Sequence, residues 1–296
     1  MNSIFKGTGV ALVTPFHQNG GIDFRALDKL VKNMHKGNVD FLLALGTTAE
    51  AVTMNFDEKA AVVAQIIDSN EGKLPILLGM GGNNTSQLVN DIKKLDKDGI
   101  DGLLSVAPYY NKPNQRGIYA HFKEVANATD LPIIIYNVPG RTSSNILPET
   151  VIKLANDFAN IVAIKEASGS MEQVMSILKV CPKDFKIFSG DDALTMPLMS
   201  VGVHGVISVI ANAYPAAMSE MVNIMLNNGD IARARELHYG MLDFINAIFA
   251  DGNPAGIKSL LDTNSVIENN LRLPMVKANR AVSNELKRLS DNSKLK

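Results

Sequence analysis

Pro132-Ile133-Ile134-Ile135-Tyr136-Asn137 and Ile161-Val162-Ala163-Ile164-Lys165-Glu166 are two short apolar runs, and the amphipathic stretch Pro148 to Asn156 lies between them. Runs this rich in Ile and Val, separated by a helical pattern, read as a strand, a crossover helix and a second, parallel strand. The same pattern extends both ways from this unit. Upstream lie Gly9 to Thr14, Phe41 to Leu45, Pro75 to Met80 and Gly102 to Val106, and downstream lie Phe185 to Gly190 and Gly205 to Ile210. Asp23 to His35, Asp57 to Ser69, Thr85 to Lys97 and Gln115 to Ala128 supply helices between them.

Eight strands apolar on both faces suit a parallel sheet covered by helices, and closing that sheet into a (β/α)8 barrel removes both of its edges. An open doubly wound sheet is the competing arrangement. It loses because no Gly-x-Gly-x-x-Gly follows the first strand to hold a dinucleotide, and the cluster Gly79, Gly81 and Gly82 reads as tight backbone packing. Ala216 to Leu226 supplies the eighth helix. The remainder is helical and broken by Gly252, Pro254 and Pro274. The expected division is therefore a barrel over residues 1–227 and a small C-terminal helical domain over 228–296.

Lys and Arg total 29 against 30 Asp and Glu, so no net field draws the chain to nucleic acid or to an anionic membrane. A hydrophobic fraction of 46% supplies a large core. From Ala193 to Ser219 there is no charged side chain, but Pro197, Gly202, Gly205 and Pro215 divide the stretch into a helix, a buried strand and a new helix start rather than a membrane span. Cys181 is the only cysteine and forms no internal disulfide, and no signal-peptide layout opens the chain, so the expectation is a cytoplasmic location.

In a barrel the reactive side chains stand where strands end. Four ends are unusual: Gly46-Thr47-Thr48-Ala49-Glu50, Pro108-Tyr109-Tyr110-Asn111, Tyr136 to Thr142, and Ile164-Lys165-Glu166-Ala167. Alternation places Lys165 on the face of Ile161 and Ala163. If that face is the barrel interior, desolvation yields a neutral amine able to attack a ketone and form an imine. The alternative is a lysine snorkelling into solvent. Tyr136 is either a proton relay beside that lysine or a barrel-core aromatic. Thr47 and Thr48 can hold a keto acid's carboxylate or cap the next helix, and Arg141 can pair with a second carboxylate or lie on the surface. Asp191 and Asp192 read as helix caps, and His204 as a packed residue. No cluster of His, Cys and carboxylates has metal-ligand spacing, so neither a catalytic metal nor a cofactor is expected.

Taken together, these segments resemble the superfamily of dihydrodipicolinate synthases and N-acetylneuraminate lyases, class I aldolases that use pyruvate. Gly46-Thr47-Thr48-x-Glu50 is similar to its carboxylate-binding motif, Tyr136-Asn137-x-Pro139-x-Arg141-Thr142 to its tyrosine loop, and Ile164-Lys165-Glu166-Ala167 to its Schiff-base segment. Arg141 and the pair Tyr109-Tyr110 favour the dihydrodipicolinate synthase branch. The resemblance implies a lyase that condenses pyruvate, bound to Lys165, with L-aspartate 4-semialdehyde to give 4-hydroxy-tetrahydrodipicolinate for diaminopimelate and lysine synthesis. It further implies Tyr136, Thr47 and a neighbouring subunit's Tyr110 as a proton relay, and Thr48 and Arg141 as carboxylate ligands. Backbone at Gly190 and Ile207 would complete the pocket, within a homotetramer built as a dimer of dimers. One departure is visible, since Ala49 stands where the motif usually has glycine.

Overall fold

The structure, a computed structural model, describes residues 4–293 and 295. Eight strands form a closed barrel in sequence order: β1 (Gly7–Ala11), β2 (Phe41–Ala44), β3 (Ile76–Gly79), β4 (Gly102–Val106), β5 (Ile133–Asn137), β6 (Ile161–Glu166), β7 (Lys186–Ser189) and β8 (Gly205–Ser208). Each pairs in parallel with the next, and β8 returns to β1 through Gly7–Gly205 to Val10–Ser208. β1 starts two residues earlier than the apolar run suggests. Past Ala11, Leu12 N–H still donates to the Leu43 carbonyl, but Val13 N–H turns to the Asn212 side chain, and the ladder ends.

The outer ring comprises α1 (Phe24–Lys36), α2 (Phe56–Asn70), α3 (Thr85–Lys93), α4 (Gln115–Asn127), the single turn α5 (Pro139–Thr142), α6 (Pro148–Asp157), α7 (Met171–Val180), α8 (Thr195–Ser200) and α9 (Pro215–Leu226). Capping fixes where they start. Asp23, Asn55, Asn84, Asn114 and Ser170 each accept a backbone N–H from the first turn of the helix that follows, and Asn55 with Glu58 completes a capping box. The charge-free stretch divides as expected into α8, β8 and α9. Among the described residues no helix is long and apolar enough to cross a membrane.

Two apolar layers result. One lies between strands and helices. The other fills the barrel, with Phe5, Phe41, Leu43, Leu77, Leu104, Ile134, Phe188 and Ile207 meeting at its centre. Phe41 meets the rings of Phe5 and Phe188 edge to face, with centroids 5.2 and 5.6 Å away. That packing needs a glycine at position 9, where a Cβ would sit 2.2 Å from the Phe41 ring.

Strict alternation fails once. Between β5 and β6 the register steps from Ile133–Ile161 to Ile134–Ala163, so Val162 is an inserted residue. Ile161 therefore packs in the outer layer, whereas Ala163 packs inside the barrel, correcting the expectation that Lys165 shares a face with both. The lysine faces inward with Ala163.

Three further helices follow, α10 (Ile231–Ala250), α11 (Ala255–Thr263) and α12 (Arg280–Asp291), and we divide the chain at the short link 227–230 between α9 and α10. They are tied to the end of the barrel where β1 and β2 finish. Arg272 donates to the carbonyls of Gly20 and Thr53 and pairs with Glu58, and Asn270 donates to the Phe16 carbonyl.

Candidate active site

Lys165 sits one residue before the end of β6, in register with Tyr136 on β5 and Phe188 on β7. Only 5% of the residue is exposed, and its Nζ lies 4.5 Å from the centre of the Tyr136 ring. Burial pushes the amine down to about 8, opposed by the Asp192 charge and assisted by the Arg141 charge. The stem is accommodated by a missing side chain just past the end of β7. A Cβ on Gly190 would stand 3.0 Å from Cε of Lys165.

Tyr136 is pushed up to about 12, chiefly by burial, while Arg141 and a hydrogen bond with the Thr47 side chain work the other way. Its hydroxyl therefore keeps its proton through neutral pH and is available as a donor. Thr47 itself is exposed, whereas Thr48 is buried. Both lie in the short 3-10 turn Thr47–Ala49 that follows β2. Ala49 is buried and has no left-handed backbone, so its methyl meets no conformational penalty. The left-handed position is the next one, Glu50, at φ +55°.

Arg141 lies on the single turn α5, which begins at Pro139. It is exposed, forms no ion pair among the described residues, and is close enough to bear on both Lys165 and Tyr136. Ile207 is buried inside the barrel on β8. Tyr110 stands apart from this group. It is 87% exposed, with φ +72°, a conformation that costs a bulky aromatic free energy.

A polar network behind the site fixes the ends of β5 and β6. The Glu166 carboxylate accepts from Asn137 Nδ2, Gln173 Nε2 and Ser168 N–H, and Asn137 Oδ1 accepts from Ile146 N–H beyond the Arg141 turn. Because every member has a partner, the network holds adjacent strand ends in one arrangement.

The chain matches the model of the dihydrodipicolinate synthetase family over residues 4–292. It is 49% identical to a 4-hydroxy-tetrahydrodipicolinate synthase of Flavobacterium psychrophilum, over 95% of this chain and 96% of that one. The crystal structure of the dihydrodipicolinate synthase of Thermotoga maritima superposes with a TM-score of 0.96 at 38% identity, covering 99% and 100% of the two chains. That of the chloride-inhibited Acinetobacter baumannii synthase, complexed with pyruvate, superposes at 0.94 with 34% identity, covering 98% and 99%. The chain belongs to the dihydrodipicolinate synthetase family.

Within this family member, two features escape a reading of the sequence. Asp191 caps as expected, accepting from Ala193 and Leu194 N–H, but Asp192 does not. Its Oδ2 accepts from Val209 and Ile210 N–H beyond β8, and its buried charge opposes the lowering at Lys165. Burial raises the Asp192 carboxyl in turn. The second feature is Asn253, whose Nδ2 donates to Thr48 Oγ1 at 3.0 Å from the link between α10 and α11. Neither is marked by spacing, since both depend on elements distant in the chain. Among the described residues no three His, Cys, Asp or Glu side chains are grouped to hold a metal.

Gly190→Ala would set a methyl 2.8 Å from the Ala167 Cβ and 3.0 Å from Lys165 Cε, so it should move the lysine stem and slow reaction of that amine with a keto acid roughly tenfold or more, with some loss of thermal stability because Ala167 cannot yield as a long side chain can. Single-turnover trapping rates measure this, and an unchanged rate would show that Gly190 does not shape the pocket.

Proposed function

We propose that Lys165 forms an imine with pyruvate and that the resulting enamine attacks L-aspartate 4-semialdehyde, giving 4-hydroxy-tetrahydrodipicolinate. The observation that carries this reading is a desolvated lysine amine, held near 8, packed against the ring of a protonated tyrosine.

The neutral amine adds to C2 of pyruvate. Tyr136 donates a proton to the developing alkoxide, water leaves from the carbinolamine, and the protonated imine remains. The Tyr136 phenolate takes a proton from C3, converting the imine to an enamine, whose C3 forms the new carbon–carbon bond with the aldehyde carbon while the aldehyde oxygen takes that proton from Tyr136. The substrate amine then displaces the lysine nitrogen at C2, which closes the ring and frees Lys165.

Thr47 and Thr48 receive the pyruvate carboxylate through hydroxyl and backbone N–H groups, and backbone at Gly190 and Ile207 completes the pocket. Arg141, an exposed cation with no ion-pair partner among the described residues, receives the carboxylate of the aldehyde substrate, where a planar guanidinium can bind both oxygens. A sialic acid or sugar-acid lyase of similar fold has no use for this cation, and Arg141 therefore favours the amino-acid aldehyde.

Tyr110 completes the relay from a neighbouring subunit in this reading, as part of a homotetramer built from two dimers. An exposed aromatic held in a costly backbone conformation is supported if a second copy of the chain covers it.

Two experiments test the proposal. Borohydride added in the presence of pyruvate should attach one pyruvate-derived group to the peptide bearing Lys165, and the parent chain should turn over pyruvate with aspartate semialdehyde. Attachment to another lysine, or turnover only with other aldehydes, would refute the corresponding half. Mixing inactive Lys165→Ala and Tyr110→Phe chains under conditions of subunit exchange should restore part of the activity. Confirmed exchange without recovery excludes a shared site.

A further inference from the structure

Lys258, on α11, has a completely buried side chain, and so does Glu50, at 0% and 1% exposure. Their Nζ and Oε1 are 2.5 Å apart. The ammonium also donates to the Asn270 carbonyl and lies 4.2 Å from the centre of the Phe16 ring, and the other Glu50 oxygen accepts from Arg272 N–H. Burial pushes Lys258 down to about 8, against the pull of Glu50.

Removing two charges from water costs more than a well-packed apolar pair would, so such a pair gives little net stability. It does impose one arrangement. Glu50 is the left-handed residue that ends the Thr47–Ala49 turn, and Thr53 Oγ1 also donates to its carbonyl. Anchoring the carboxylate on α11 therefore fixes the direction in which that turn leaves β2.

The same C-terminal segment reaches the turn a second time. Asn253 is 5% exposed and donates to Thr48 Oγ1, so this oxygen serves as an acceptor and its own hydrogen must point elsewhere. Among the described residues Thr48 Oγ1 donates to no acceptor. The hydroxyl is thus left as a donor directed away from Asn253.

We infer that Asn253, Glu50 and Lys258 are positioning residues that hold the Thr47–Thr48 turn and orient the Thr48 hydroxyl to donate to the keto-acid carboxylate. The inference rests on the reading of that turn as the carboxylate cradle. Pyruvate affinity, not aldehyde affinity, is then the property these residues control. Their effect is carried through Thr48, and none of them touches the reacting atoms.

The readout is the pyruvate concentration that gives half-maximal borohydride trapping on Lys165, with the KM for the aldehyde and the melting temperature measured alongside. Asn253→Ala should raise the half-trapping concentration about five- to tenfold, the size expected for one oriented hydrogen bond, while the aldehyde KM stays within about twofold. Lys258→Met leaves a buried carboxylate unpaired and should raise it further, and adding Glu50→Gln to that variant should restore part of the loss because the stranded charge is gone. An unchanged half-trapping concentration in Asn253→Ala overturns the inference whatever happens at Lys258. So does a double variant that melts like Lys258→Met and recovers no pyruvate affinity. If the parent chain traps no pyruvate on Lys165, the underlying reading of the site has failed instead, and the two failures are told apart.

Discussion

The desolvation of one amine organises this molecule. A lysine in water is almost wholly an ammonium at neutral pH. Held near 8, Lys165 carries on the order of 300 times more neutral amine at pH 7 than a lysine at the ordinary 10.5. Reaching that state requires largely apolar walls, and closure of the sheet supplies them. Phe188 on one flanking strand, the Tyr136 ring on the other and Ala163 on its own strand leave only 5% of the residue exposed.

Around the amine, the charges are arranged so that neither form is trapped. Asp192, buried beyond the lysine, favours the ammonium, and Arg141 at the mouth disfavours it. The same arginine lowers Tyr136 while burial raises it, so the phenol keeps its proton yet lies next to a cation that can stabilise its conjugate base. Two titratable groups are thus adjusted in part by the same neighbour, an arrangement that clusters at functional sites. The supporting frame is polar and fully paired around Glu166, and ionic around Glu50. Both lie just behind residues that face the pocket.

Much of this was legible in the chain. Eight apolar runs and their intervening amphipathic stretches correspond to eight strands and their helices because both faces of each strand are buried, which removes ambiguity about environment. Lys165 and Tyr136 stand out as polar residues at the ends of apolar runs. What alternation could not reveal is the extra residue Val162, because a bulge is specified by the partner strand and not by the bulged one. Asp192 resembles a cap locally and is drawn inward by N–H groups beyond β8. Asn253 and Thr48 are 205 residues apart, and nothing near either announces the other. Lys258 left one faint mark, as a charge flanked by Ile257, Leu260 and Leu261 on a face that should be apolar.

The most direct measurement is a pH titration of the 13Cε resonance of Lys165 in lysine-labelled protein, assigned by its loss in Lys165→Arg. A midpoint near 8, well below that of the exposed lysines, is the predicted result. A midpoint near the ordinary value of 10.5 would mean that the barrel does not generate the neutral amine, and would contradict the account at its base.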